Sequence, residues 1–342
     1  MLSKAFVGLA LAALVGGAAG PAAAQAKEIR WGTSAVGSAG HKALVNLAEV
    51  LNKEWSGYNV TVQPAPGAIL TIKGFATNKF DGFYGADIGF YEYANDIARF
   101  KGFKSSVLRE PVQSMWVFTT EVGFGIHRRD KDRIKSWADL VGRKTFTGPR
   151  PWDTRAQTER GLMALGIKHD YTEVDLATAG SLLDAGTLQA FVIYTNAETS
   201  VPPWITEASL STDWVALNPN AEELKNLKAK GLATTTVPAK VFKKDIGVES
   251  VTLLPFYYGF HVGLDVSADD VYRKLTIVEK NAAQLAKADG SFAQVAADMV
   301  GMQRRGIQSS VDLVEIHPGL AKYMKEKGAW DPKWDARIAK AK

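Results

Sequence analysis

Apolar positions along this chain recur with two alternating periods, and their order spells strand, helix, strand, helix. Glu28-Ile29-Arg30-Trp31-Gly32 predicts a short strand that runs into a loop of small residues, Thr33 to Gly40. Ala43, Leu44, Leu47, Ala48 and Leu51 then repeat at helical spacing. Val60 and Val62 alternate with Thr61 and Gln63, a second strand stopped by Pro64, Pro66 and Gly67. Ala86 to Phe90 predicts a third strand.

The segment from Met115 to His127 is rich in β-branched and aromatic residues and predicts a first crossover between two lobes. A second series follows: a helix around Ser136 to Val141, a strand Lys144 to Thr147, a helix Asp153 to Leu165, and a strand Ala190 to Thr195 before Val201-Pro202-Pro203-Trp204. Asp245 to Gly263 carries Val251, Leu253, Phe256, Tyr258 and Phe260 around Pro255 and predicts the return crossover. Asp270 to Lys287 and Phe292 to Val300 predict helices that pack back on the first lobe. The pattern implies an α/β protein of two doubly wound lobes, with a ligand cleft at the carboxyl ends of their strands. The expected boundaries are 25–120 for the first part of lobe 1, 121–250 for lobe 2, and 251–342 for the return and the rest of lobe 1.

Residues 1–24 stand apart from this pattern. Lys4, the apolar run Phe6 to Val15, and Ala22-Ala23-Ala24 before Gln25 have the layout of a secretory signal peptide, which implies export to the periplasm. No other segment offers the ~20 consecutive apolar residues of a membrane span. The chain has no cysteine, so disulfides, thiolate metal sites, thiol nucleophiles and a lipid-anchoring cysteine are all excluded. The formal net charge of +5 is spread thinly, with no basic block that would track phosphates, so nucleic acid is not an expected partner.

Catalytic signatures are absent. His41, His127, His169, His261 and His317 are widely separated and form no metal-binding spacing, and no phosphate-binding loop or Gly-x-Ser-x-Gly elbow occurs. The sequence predicts no enzyme, no metal and no cofactor.

Binding chemistry has better candidates. In the first loop, Thr33, Ser34, Gly37, Ser38 and Ala39 offer hydroxyls and approachable backbone N–H groups at a helix start, which attracts carboxylate or phosphate. The same pattern equally describes a serine cap and a tight glycine turn. At the corresponding corner of the second lobe stand Thr147, Arg150, Trp152 and Thr154. Arg150 is either a two-pronged carboxylate clamp or a solvated arginine, with Asp153 read as a helix cap. Tyr91 and Tyr93 follow the predicted third strand, and Tyr194, Thr195 and Asn196 close a strand of the second lobe, where open α/β sheets bind ligands. Any of these tyrosines also suits a core.

Longer stretches carry a family resemblance. The loop at Gly32-Thr33, the segment Ile134-Lys135-Ser136-Trp137-Ala138-Asp139-Leu140-Val141-Gly142-Arg143-Lys144, and His317-Pro318-Gly319-Leu320-Ala321-Lys322-Tyr323-Met324-Lys325-Glu326-Lys327-Gly328 stand in the order of one family. The chain resembles the TAXI family, solute receptors of tripartite ATP-independent periplasmic (TRAP) transporters. The resemblance implies a type II periplasmic-binding-protein fold, no enzymatic activity, and delivery of an organic anion such as glutamate or 2-oxoglutarate to TRAP membrane subunits. The chain departs from the family pattern nearest the ligand, with Ser34 and Ser38 where glycines are common and Arg150-Pro151-Trp152 in place of a Gly/Ser-rich turn. The rival expectations are a receptor of an ATP-driven importer, a periplasmic sensor or signalling partner, and an enzyme on the same fold.

Overall fold

The computed structural model describes residues 26–340. The predicted signal peptide lies outside the described residues. The chain opens with β1 (Lys27–Thr33), α1 (Ala39–Glu54), β2 (Tyr58–Pro64), α2 (Ala68–Ala76), β3 (Gly82–Ala86) and α3 (Asp87–Ala94). A long strand, β4 (Trp116–His127), leads to β5 (Lys144–Phe146), α4 (Asp153–Ala164), β6 (Asp170–Tyr171), α5 (Ala179–Asp184), β7 (Ala190–Asn196), α6 (Pro203–Ser211), β8 (Trp214–Leu217), α7 (Ala221–Ala229) and β9 (Thr235–Pro238). A second long strand, β10 (Ser250–Val262), returns, and α8 (Ala268–Ala288), α9 (Ala293–Ser310) and α10 (Pro318–Glu326) complete the chain.

The strands run in the order β2-β1-β3-β10-β4-β7-β5-β6, with β8 on β4 and β9 on β10. β1 is parallel to β2 and β3, and β5 is parallel to β6 and β7. Each parallel set forms one lobe, and the antiparallel pair β4 and β10 joins them. This is the two-lobed α/β arrangement of the type II periplasmic-binding-protein fold.

Between the lobes the sheet narrows, and at Tyr257 and Thr119 only those two strands remain, because β7 joins β4 from Thr120 onward. Leu254 to Gly259 of β10 pair with Trp116 to Val122 of β4, while β9 pairs only with Ser250 to Leu253 and β3 only with Tyr258 to Val262. Side chains satisfy the edges left open. Asp87 Oδ1 accepts from Tyr257 N at 3.1 Å, Gln303 Oε1 from Trp116 N at 2.8 Å, and Gln294 Oε1 from Thr119 N at 2.8 Å. Since backbone N–H groups alternate sides along a strand, position 255 points the same way as 257, and Pro255 stands where no ladder bond is lost.

Two expectations are corrected. The third strand is Gly82–Ala86, and the predicted strand Ala86 to Phe90 is largely helix α3. Asp87 Oδ1 accepts from Ile88 N at 2.7 Å and starts the helix, and because Ile88, Gly89 and Phe90 are all buried, their apolarity carries no periodic signal. Ser136 to Val141 holds a single 3₁₀ turn, Trp137–Leu140, closed by a capping box between Ser136 and Asp139. The proline stretch begins a helix, with Pro203 at its first position. Among the described residues no helix is long and apolar enough to cross a membrane.

Candidate functional site

A cavity of about 570 Å³ opens between the lobes. Four helices begin on it: α1 at Ser38-Ala39, α2 at Gly67-Ala68, α4 at Trp152-Asp153, and α6 at Pro202-Pro203. Helix starts carry unpaired N–H groups and a positive partial charge. In α1, Ser38 caps the helix by accepting from His41 N at 3.3 Å, and its Oγ lies 2.6 Å from Ser34 Oγ. In α2, α4 and α6 the residues at the cap are Gly67, Trp152 and Pro202, and none makes a side-chain capping bond. Backbone carbonyls serve two of these starts, since Leu70 N donates to the Gly67 carbonyl and Ile205 N to the Pro202 carbonyl, each at 3.1 Å, and Pro202 and Pro203 bring no N–H of their own.

Two glycines shape the first corner. Gly37 adopts a left-handed φ of 82°, and Gly40 packs so closely on Tyr84 that a Cβ would fall 2.4 Å from the ring. The closeness lets α1 begin directly over an aromatic floor. Tyr84 from β3 and Tyr258 from β10 stack there, and Trp152, Tyr194 and Trp204 line the remaining wall. Trp204 Nε1 donates to Tyr194 Oη at 3.2 Å. Burial pushes the Tyr194 phenol up to about 12, so it stays protonated.

Charge inside the cavity is sparse. Lys42 and Glu207 are exposed at the lining, and Asp289 is half-buried and caps Ser291 N at 2.8 Å. Asp153 is only 3% exposed and accepts from Tyr258 Oη at 3.0 Å, while its other oxygen lies 2.7 Å from Arg99. Next to it, Thr154 is 5% exposed and its hydroxyl has no hydrogen-bond partner. A buried hydroxyl left unpaired costs about 1–3 kcal/mol.

Of the residues the sequence singled out, Ser34, Gly37, Ser38, Ala39, Trp152, Thr154, Tyr194 and Asn196 line this cavity. Six others do not. Thr33 is buried with its hydroxyl turned into the core, and Thr147 donates to Glu159 at 2.6 Å. Thr195 donates to the buried carboxylate of Glu121. Tyr91 lies under the guanidinium of Arg160, and Tyr93 donates to Glu110, both because the expected strand end is a helix that turns them away. Arg150 lies outside the lining: its side chain is 70% exposed, pairs with Glu173 at 3.2 Å and sits over the Tyr171 ring.

Sequence reasoning passed over Tyr84, Tyr258, Thr120, the rim from Ser200 to Pro203, and the role of Asp153, and ranked Trp204 only as a weaker candidate. The alternation Phe256, Tyr258, Phe260 marks one face of a strand, and Gly82-Phe83-Tyr84-Gly85 marks another, which together signal the aromatic floor. Nothing local signals that Arg99 reaches Asp153.

Comparison with known proteins bears on this architecture. The profile of the NMT1-like family matches residues 32–328, nearly the whole described chain. The chain belongs to the NMT1-like family. No curated protein matches it in sequence. Among solved structures, the periplasmic aliphatic sulphonate-binding protein of Escherichia coli is 17% identical, over 87% of this chain and 79% of its own, with a TM-score of 0.41. The ligand-binding component of an ABC-type import system from Staphylococcus aureus, with zinc bound, is 11% identical over 92% and 96%, with a TM-score of 0.46. The probable amino-acid ABC transporter extracellular-binding protein of Bacillus subtilis is 11% identical over 81% and 99%, with a TM-score of 0.41.

Proposed function

We propose that this NMT1-like protein is a periplasmic solute receptor, not an enzyme, which captures a small organic acid between its lobes and hands it to a membrane importer. The observation that carries the reading is the interlobe cavity on which four helix starts converge, three of them uncapped. An acid fits because helix-start amides, the unpaired Thr154 hydroxyl and whichever of the paired Ser34 and Ser38 hydroxyls does not donate to the other are donors to oxygen. Recognition would then rest on neutral dipoles and not on an arginine. The five aromatic rings of the lining suit an apolar or planar body attached to that acid group.

The importer we propose is ATP-driven, the class named for the Staphylococcus and Bacillus proteins. A TRAP permease, implied by the resemblance to TAXI receptors, is the competing outcome. Mass spectrometry of what the purified protein carries, followed by calorimetry with that compound and its neutral amide or ester, tests the ligand. Equal affinity for acid and neutral analogue overturns the acid reading, and failure to bind any small molecule overturns the receptor. Uptake of the same compound by cells with the gene deleted, with and without a protonophore, separates the two importer classes.

A further inference from the structure

Arg99 stands in the first lobe, just beyond α3, where its neighbour Phe100 packs edge-on against Tyr93 and Phe103. From there its side chain crosses to the second lobe. Nε donates to Glu92 Oε2 at 2.7 Å within its own lobe, while Nη1 donates to the Pro151 carbonyl at 3.2 Å and pairs with Asp153 Oδ1 at 2.7 Å. The Arg99, Glu92 and Asp153 side chains are 18%, 7% and 2% exposed. Tyr258, on the connecting strand β10, adds its hydroxyl to the second oxygen of Asp153. A second contact crosses nearby, the Arg160 guanidinium lying 4.3 Å from the centre of the Tyr91 ring.

We propose that Arg99 is the latch of cleft closure and a positioning residue for the solute site, an inference that rests on the receptor reading above. The groups it grips in the far lobe, Pro151 and Asp153, immediately bracket Trp152 and precede Thr154, all at the start of α4 that faces the cavity. Opening the lobes removes the guanidinium from a buried carboxylate, which water must then reach, so the latch favours the closed form before any solute arrives. Closing it seats the uncapped amides of α4 and the Thr154 hydroxyl at the cavity wall. Solute binding then stabilises an arrangement already assembled, and less of its binding energy goes into ordering the site.

The absence of cysteine makes the test direct. Val45→Cys on α1 and Met163→Cys on α4, both exposed positions on opposite lobes, accept spin labels for pulsed distance measurement on the solute-free mature chain. Expected is a dominant short distance in the parent. Arg99→Gln and Asp153→Asn should each shift the closed-to-open ratio about tenfold or more toward a longer distance, and their combination should add little. Arg99→Lys, which keeps the charge and can hold one partner, should recover part of the closed population. Arg30→Gln removes a 2.7 Å ion pair with Asp81 wholly inside the first lobe and should leave the distances unchanged. If Arg99→Gln does not fold by circular dichroism, Arg99→Lys and Asp153→Asn carry the same test. Variants whose distances superimpose on the parent, or a parent already open, overturn the latch. No solute enters this experiment, so a protein that binds nothing sinks the receptor reading alone, and unchanged distances sink the latch alone.

Discussion

Tyr84 and Tyr258 stack with ring centroids 4.4 Å apart and planes 14° from parallel, joining β3 of the first lobe to the connecting strand β10 beneath the cavity. Tyr84→Ala removes a ring that is 3% exposed and should cost about 3–5 kcal/mol of stability. Tyr258→Phe keeps the stack and deletes only the donor to Asp153, so about 1–2 kcal/mol is expected. Urea denaturation of the two variants checks the order; equal losses would mean that the hydroxyl, not the stack, holds the floor.

Thr154→Val replaces an unpaired buried hydroxyl with a methyl of nearly the same shape. The solute-free protein should be unchanged or more stable by about 1 kcal/mol, because no bond is lost. Affinity for the co-purifying solute should fall about tenfold, the worth of one buried hydrogen bond to a charged oxygen. Thermal unfolding and calorimetry read the two effects separately.

Arg150→Ala should change affinity by less than about twofold, since the exposed side chain pairs with Glu173 away from the cavity. Calorimetry on this variant tests whether the second corner binds through α4 or through the arginine that its sequence advertises.

Two buried carboxyls each make a contribution to stability that declines as pH rises from about 4 to about 8, against the opposite trend of the buried His261 and His317. Burial pushes the Asp87 carboxyl up to about 7, against two backbone donors, and the Glu121 carboxyl up to about 8, against the hydroxyls of Thr119 and Thr195. Each native carboxyl keeps a proton that the unfolded chain has already released, so its contribution is complete below the unfolded pKa and is lost as pH climbs through the native one. Glu121→Gln, which keeps a neutral group in place, should flatten the upper part of the decline, as urea midpoints between pH 4 and pH 9 will show.

Lys274 behaves in the opposite sense. Its ammonium is fully buried, with Ser114 Oγ at 3.5 Å, the Phe260 carbonyl at 3.4 Å and the Trp31 ring centre at 5.1 Å, and burial pushes its pKa down to about 7. The native state holds fewer protons than the unfolded chain between pH 7 and the ordinary lysine range, so this group makes stability rise with pH there. Lys274→Met should stabilise the protein by about 1 kcal/mol or more at pH 6, with the gain shrinking above pH 7. Melting temperatures at pH 6 and pH 9 supply the comparison.

Periodicity made the lobes, the order of the main elements and the two long connecting strands legible in the sequence, because strands such as Ala190–Asn196 and helices such as Ala268–Ala288 differ sharply in pattern. The first corner was legible as a helix start, because its small residues precede an amphipathic helix, and the structure shows Ser38 as the cap and Gly37 as the turn. The floor was not, since Tyr84 and Tyr258 are 174 positions apart and meet only through antiparallel pairing of β3 with β10. Arg150 misled because sequence gives a residue's neighbours along the chain, while the direction of its side chain is set by the partner it finds, here Glu173. Asp153 was recognised as a helix-start residue, but its pairing with Arg99 depends on how two lobes approach each other.

The neck between the lobes behaves as a torsion bar. From Trp116 to Thr119, where β4 has no strand beside it but β10, and at Tyr257 of β10, the outer amides are tied to the terminal groups of Gln294, Gln303 and Asp87, which swing on flexible stems, and not to further strands. A rotation of one lobe against the other therefore twists a two-stranded ribbon while its own rungs stay intact, and the side-chain tethers follow. A neck built this way yields to twist before any of its rungs must break.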